Sequence, residues 1–322
     1  MNMTPVAVAV FAVATVTAGR LTAQRPPQGP PPGQLVNIGG HSLHIHCVGP
    51  GGAGPTVILE AGAGDYSAAW VRVQDLLSSR VRTCAYDRAS WGWSEPGPGP
   101  RSMTQEAFEL RTLLDSAGIP GPYVLVGHSY GALLVRRYID KYGEEVRGVV
   151  LVSPTHEDSQ QGVVGEGWVR LRERATGRPI PEPRRLRATD TLVAGYDAWR
   201  DLWPDEFQQL YLARAANAAP LGDRPLVSIS SSRVEPPPPG TSDEFWRELG
   251  AEKTEHTLDL AQLSTSGNLV WDPSSGHRIH VDNPQIVVRA IDDVIGATRV
   301  RHGSRRSEPA YYASVIGLFA ES

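Results

Sequence analysis

Apolar positions along this chain follow two different periods, and their alternation sets the expected architecture. Short, predominantly apolar runs at 56–59, 81–86, 123–126, 148–152, 225–229 and 268–271 read as strands, those at 56–59 and 123–126 as buried ones. Stretches with helical spacing lie among them, at 70–77, 103–117, 132–142, 242–249 and 284–295. Ser102 followed by Gln105 is a capping box for the second of these helices, and Gly118 and Gly143 terminate the second and third. Ahead of this pattern, 34–38 and 42–48 alternate apolar and polar residues around Gly39-Gly40, which predicts an antiparallel hairpin. Strands alternating with helices predict an α/β protein, with a mostly parallel sheet covered by helices on both faces and opened by that hairpin.

The alternation breaks between 158 and 222. Arg-rich and Trp-bearing stretches at 167–174 and 205–216 predict a helical cap insertion over the sheet. Trp168, Trp199 and Trp203 in this region either line an apolar pocket or pack its own core. At the other extreme, 6–16 is an Ala/Val-rich run followed by small residues at 16–18 and 21–23. That resembles the apolar stretch and cleavage site of a secretory signal, without a preceding Lys or Arg, and it is shorter than a membrane span. The expected organisation is a signal peptide over 1–23, a linker over 24–34 with five prolines, a core over 35–157 and 223–297, the insertion over 158–222, and a tail over 298–322 carrying Arg299, Arg301, Arg305 and Arg306. A secreted or periplasmic location is expected, with the cytoplasm as the alternative.

Composition narrows the partners. With 31 basic and 35 acidic residues the formal net charge is −4, so no overall field attracts polyanions and nucleic acid is not an expected partner. His44 and His46 share one face of the second hairpin strand, but no third ligand stands nearby, so a polar strand face is favoured over a metal pair. Two cysteines, Cys47 and Cys84, are too few for a disulfide scaffold and lack zinc-site spacing.

The chemistry centres on Gly127-His128-Ser129-Tyr130-Gly131, a G-x-S-x-G sequence between the strand at 123–126 and the helix at 132–142. A serine on so tight a strand-to-helix turn adopts a strained backbone, and the flanking glycines remove side chains that would collide there. Its hydroxyl is then presented beside a helix N-terminus whose N–H groups can steady negative charge. A serine hydroxyl is a weak nucleophile until a base touches it. His277, just after the last sheet strand, is expected on a loop at the same carboxyl edge of the sheet as Ser129.

With these residues in hand, the chain resembles the α/β-hydrolase superfamily, specifically its capped, esterase-like or lipase-like serine hydrolases. The resemblance covers roughly 35–297 and rests on Gly127-His128-Ser129-Tyr130-Gly131, on Asp87-Arg88-Ala89-Ser90-Trp91-Gly92-Trp93-Ser94 and on Gly276-His277. It implies Ser129 as nucleophile, His277 as general base, the backbone N–H groups of Ala63 and Tyr130 as oxyanion hole, a small-molecule ester substrate, and no metal or organic cofactor. It also places the strand of Cys47 beside that of Cys84, so a disulfide between them is expected if the chain is exported; two buried free thiols are the alternative. Three positions depart from the superfamily pattern: Ala61-Gly62, preceded by Glu60, replaces the usual His-Gly; Ser90 stands where relatives carry Gly; and Ser153 occupies the strand end where many place the acid. For the third triad member Asp158 is expected first, then Glu235, then Glu157. A cofactor-free haloperoxidase or carbon-carbon bond hydrolase also keeps Ser at the elbow, and a binding protein that has lost catalysis is the alternative of a different class.

Overall fold

Eight strands form one sheet: β1 (Gln34–Asn37), β2 (Ser42–Val48), β3 (Thr56–Glu60), β4 (Thr83–Tyr86), β5 (Tyr123–His128), β6 (Val146–Val152), β7 (Leu226–Ser231) and β8 (Gly267–Asp272), in the spatial order β1-β2-β4-β3-β5-β6-β7-β8. This is a computed structural model, and it describes residues 29–52, 54–163, 167–193, 203–233 and 242–303. The apolar leader at 6–16, the start of the Pro-rich linker, Trp199, Glu235 and the tail beyond 303 lie outside the described residues. β1 and β2 are antiparallel, as are β2 and β4, and every later neighbour pair is parallel. Gly39 and Gly40 make the hairpin turn at φ of 99° and 113°, a region that L side chains rarely enter.

The apolar runs of the central strands follow from burial on both sheet faces. Val57, Leu59, Val124 and Val126 point to one side, under α1 (Val71–Leu77) and α6 (Pro284–Gly303), where they pack with Trp70, Leu77, Val287 and Ile291. Ile58 and Leu125, one residue out of phase, point to the other side, under α2 (Met103–Ser116) and α3 (Tyr130–Tyr142) with Leu113, Leu133 and Leu134. Ser102 caps α2 as its sequence predicts, its side chain accepting the Gln105 N–H at 3.0 Å. Cys47 and Cys84 face each other across β2 and β4 and are joined by a disulfide with S–S 2.05 Å.

The segment between β6 and β7 departs from the helical expectation at 167–170, and Leu192–Val193 is a further two-residue strand paired antiparallel with Gly97–Pro98. Gly167–Arg170, expected as helix, is a strand pairing antiparallel with Gln160–Val163, and only Leu171–Arg174 makes a single 3-10 turn. Trp168 and Val169 are strand-favouring residues, and a run this short has no decisive period. Residues 205–216 do form a helix, α4 (Asp205–Ala216). Helix α5 (Asp243–Ala261) runs well past the expected end at 249, continuing through Gly250 despite its low helix propensity, about 1 kcal/mol less favourable than Ala. Among the described residues no helix is long and apolar enough to cross a membrane.

Candidate active site

Ser129 sits at the junction of β5 and α3 with φ 52° and ψ −119°, a conformation that a non-glycine residue rarely adopts. The elbow closes only because its neighbours are small. A Cβ on Gly127 would lie 2.5 Å from the Gly131 carbonyl oxygen, and one on Gly131 would lie 2.7 Å from the Ala61 oxygen. The serine N–H donates to Val152 O at 3.1 Å, and its own carbonyl accepts the Thr155 N–H at 3.2 Å, tying the elbow to the end of β6.

His277 comes from the loop after β8, and its Nε2 lies 3.0 Å from Ser129 Oγ. Several bonds hold that loop. Asp272, buried at the end of β8, accepts from Ser274 N and Oγ, Ser275 Oγ and Asn283 Nδ2. Ser231 Oγ bonds the Ser275 carbonyl at 2.5 Å, and the Gly276 N–H bonds Asp282 at 3.0 Å. His128 Nε2 donates to the His277 carbonyl at 3.0 Å, leaving its Nδ1 facing Gly62, where a Cβ would come within 2.7 Å. Burial, then the neighbouring His280 and His277, holds the His128 pKa well below that of an ordinary histidine; burial above all takes His280 down to about 3. Both rings are therefore neutral near pH 7, and the site gains no fixed positive charge from them.

The other nitrogen of His277, Nδ1, lies 2.9 Å from Ser153 Oγ. Ser153 ends β6 with φ 43°, and its N–H donates to Ile229 O at 2.7 Å. For Nε2 to accept the Ser129 proton, Nδ1 must carry the ring hydrogen, and the Ser153 oxygen then accepts it.

Two of the three expected acids fall elsewhere. Asp158 is not brought to His277: its carboxylate is bonded by Arg172 Nε and faces Arg170 at 3.4 Å, while its N–H donates to His156 Nδ1 at 3.0 Å. Glu157 is fully buried in a two-pronged pair with Arg136, at 2.5 and 2.9 Å. Burial alone would raise its pKa, but the Arg136 charge and hydrogen bonds outweigh that and bring it down to about 2. Glu235 lies outside the described residues. Ser153 was visible in the sequence as a departure at the strand end; its contact with a histidine 124 positions later was not.

Ala63 lies in the turn after β3, and Tyr130 opens α3. Gly62 packs on the nucleophile, since a Cβ there would lie 3.4 Å from Ser129 Cβ. Beneath this turn Arg88 donates from Nη1 to Ala61 O at 2.7 Å and from Nη2 to Gly62 O at 2.6 Å, while Glu60 takes further bonds from Arg88 and from Tyr86 Oη. Ser90 adopts φ 72°, a region that favours Gly, and its hydroxyl bonds the Val193 carbonyl. His44 is buried, with Nδ1 3.0 Å from Asp87, and no cluster of three or more potential metal ligands occurs among the described residues. Trp168 is 40% exposed and packs edge-on against Phe245, and Trp203 lies beneath the Arg178 guanidinium.

A strained serine on a β5-α3 elbow with a histidine at hydrogen-bond distance can carry out acyl transfer, and the eight-stranded sheet order places it in a known class. The sequence profile of the alpha/beta hydrolase family matches residues 44–290, and the chain belongs to that family. The protein YqjL of Bacillus subtilis, described as uncharacterized, is 29% identical over 76% of this chain and 85% of its own length. A protein of Hormonema carpetanum described as a probable transporter, efuK, is 35% identical over 81% of this chain but only 42% of its own length. Part of the chain is also similar to the (lyso)-N-acylphosphatidylethanolamine lipase of Bos taurus, 28% identical over 39% of each. Among solved structures, a thermophilic esterase from Thermogutta terrifontis superposes with TM-score 0.58 at 18% identity, over 83% of this chain and all of the other. A meta-cleavage product hydrolase from Pseudomonas fluorescens superposes with TM-score 0.54 at 17% identity, covering 82% and 98%. At those identities the structural likenesses establish the fold.

Proposed function

We propose that this protein is a serine hydrolase that cleaves a carboxylic ester, or a similar acyl bond, of a small molecule through an acyl-Ser129 intermediate. The observation that carries the reading is the 3.0 Å contact between His277 Nε2 and the hydroxyl of a serine held at a strained elbow. His277 takes the Ser129 proton as Oγ attacks the carbonyl, then returns it to the leaving alcohol; water repeats the cycle and frees the acid. The N–H groups of Ala63 and Tyr130 stabilise the oxyanion, and Ser153 Oγ accepts the Nδ1–H that keeps the imidazole in the productive tautomer. The Cys47–Cys84 bridge supports work in an oxidising compartment, in keeping with export. A fluorophosphonate probe should label Ser129, and Ser129→Ala should abolish both labelling and ester turnover, by several orders of magnitude, without loss of fold. A Ser129→Ala protein with near-wild-type ester turnover would overturn the mechanism. Labelling without turnover of any ester would move the reading to carbon-carbon bond hydrolysis or another acyl chemistry.

A further inference from the structure

The loop expected to stabilise the oxyanion lacks the His-Gly pair common in relatives, and a buried charge arrangement stands beneath it. Arg88 and Glu60 are 3% and 2% exposed. The guanidinium reaches two consecutive carbonyls of the turn, Ala61 O at 2.7 Å and Gly62 O at 2.6 Å, and is itself bonded to Glu60, which also receives Tyr86 Oη. In a trans peptide the C=O and the following N–H point in opposite directions. A donor that fixes the Gly62 carbonyl therefore fixes where the Ala63 N–H points, on the far side of that peptide from Arg88. The nucleophile lies against this turn, since Gly62 packs on Ser129. Arg88 also lies 5.3 Å over the ring of Tyr130, the residue that supplies the other N–H, and Tyr130 Oη is bonded to Glu106 at 2.7 Å. One side chain thus touches both halves of the expected oxyanion hole.

Arg88 is itself held in place. It follows Asp87, whose carboxylate accepts the Ser67 and Trp93 N–H groups at 2.8 Å each and lies 3.0 Å from His44 Nδ1. Gly92 allows that wrap, because a Cβ there would strike the Asp87 carboxylate. We infer that Arg88 is a positioning residue of the oxyanion hole, its planar fork on the Ala61 and Gly62 carbonyls aiming the Ala63 N–H at the reacting carbonyl oxygen. A lysine would keep the charge opposite Glu60 but cannot span two carbonyls and a carboxylate with one ammonium in a fixed plane. The inference rests on the acyl-transfer reading above.

The test compares wild type, Arg88→Lys and Ser129→Ala in the full chain. The readouts are ester turnover, the inhibition constant of a boronic acid that mimics the tetrahedral intermediate, and thermal unfolding. Arg88→Lys should lower kcat by about 10²- to 10³-fold, the size of effect that follows loss of one oxyanion donor, with KM within about threefold. Boronic acid affinity should fall in step with kcat, because both depend on the N–H groups at the oxyanion. A purely structural role would lower thermal stability without that parallel loss. If Arg88→Lys does not fold, the double variant Arg88→Met/Glu60→Gln removes both charges together and should show the same paired loss. A folded variant with kcat and boronic acid affinity within about threefold of wild type overturns the inference and leaves the hydrolase reading standing. A wild type that neither reacts with the fluorophosphonate nor turns over any acyl substrate overturns the reading, and this inference with it.

Discussion

Replacing Asp158 with Asn separates the position expected from the sequence from the position the structure gives it. If Asp158 oriented His277, the substitution would cost about 10⁴-fold in kcat, which at 1.36 kcal/mol per decade is about 5.4 kcal/mol of transition-state stabilisation. In the structure its carboxylate instead bonds Arg172 and faces Arg170 at 3.4 Å, with side chains 19%, 26% and 30% exposed respectively. Ion pairs this open to water are worth about 1 kcal/mol or less, and that energy belongs to folding rather than to the reaction. Asp158→Asn should therefore keep kcat within about threefold of wild type and lower the unfolding free energy by about 1 kcal/mol at most. Steady-state hydrolysis of a short p-nitrophenyl ester, with urea unfolding of the same samples, measures both. A folded Asp158→Asn protein that loses 10³-fold or more in kcat would refute the reasoning and return the carboxylate to His277. Running Ser153→Ala and Glu235→Gln beside it assigns the Nδ1 partner: the larger kcat loss marks the residue that sets the imidazole tautomer.

Two further outcomes concern stability. The Cys47–Cys84 bridge closes a loop with sequence separation 37, for which the chain-entropy relation gives about 4 kcal/mol, so a Cys47→Ala/Cys84→Ala protein should unfold at clearly lower urea, and an unchanged midpoint would count against the bridge. Glu157, brought from 4.5 to about 2 in the fold, contributes stability that is present above pH 4.5 and lost as pH falls through 2, amounting to about 3 kcal/mol. Arg136→Met leaves that carboxylate buried without its main partner and should cost about 3 to 5 kcal/mol at pH 7. The gap to wild type should narrow between pH 4.5 and 2, and a gap that stays constant over that range would refute the linkage.

What was legible in the sequence is what local pattern encodes. The central strands β3, β5 and β6 were visible because burial on both faces makes them largely apolar runs, and the elbow because Gly127 and Gly131 are required where Cβ atoms would touch backbone. His277 was legible from its place after the last strand. The partners of charged side chains were not, because they are set by packing between distant segments: Arg172 reaches Asp158 from 14 positions away, and Arg88 reaches Glu60 from 28. The pairing of 160–163 with 167–170 was not legible for a related reason, since Trp168 and Val169 beside Gly167 and Arg170 fit either period until a partner strand is known. Ser153 shows the boundary: its position at a strand end could be read, but not its φ of 43° or its contact with His277.

The three described non-glycine residues with positive φ are all serines: Ser129 and Ser153 directly follow β5 and β6, and Ser90 lies in the loop after β4, which ends at Tyr86. Such conformations cost about 1 to 3 kcal/mol apiece and persist only where the surroundings determine them fully. Each is so held here: Ser90 by its hydroxyl on Val193 O, Ser129 by its N–H on Val152 O, and Ser153 by its N–H on Ile229 O. Below them, Glu60–Arg88, Tyr130–Glu106 and Arg101 with Glu106 and Glu109 link the turn after β3, the start of α3 and helix α2 through buried charges. A core built for stability alone would do as well or better with apolar residues of the same volume. Strain and buried charge collected at one sheet edge therefore fit a site in which the placement of Ser129, His277 and the Ala63 turn is maintained at the expense of folding free energy.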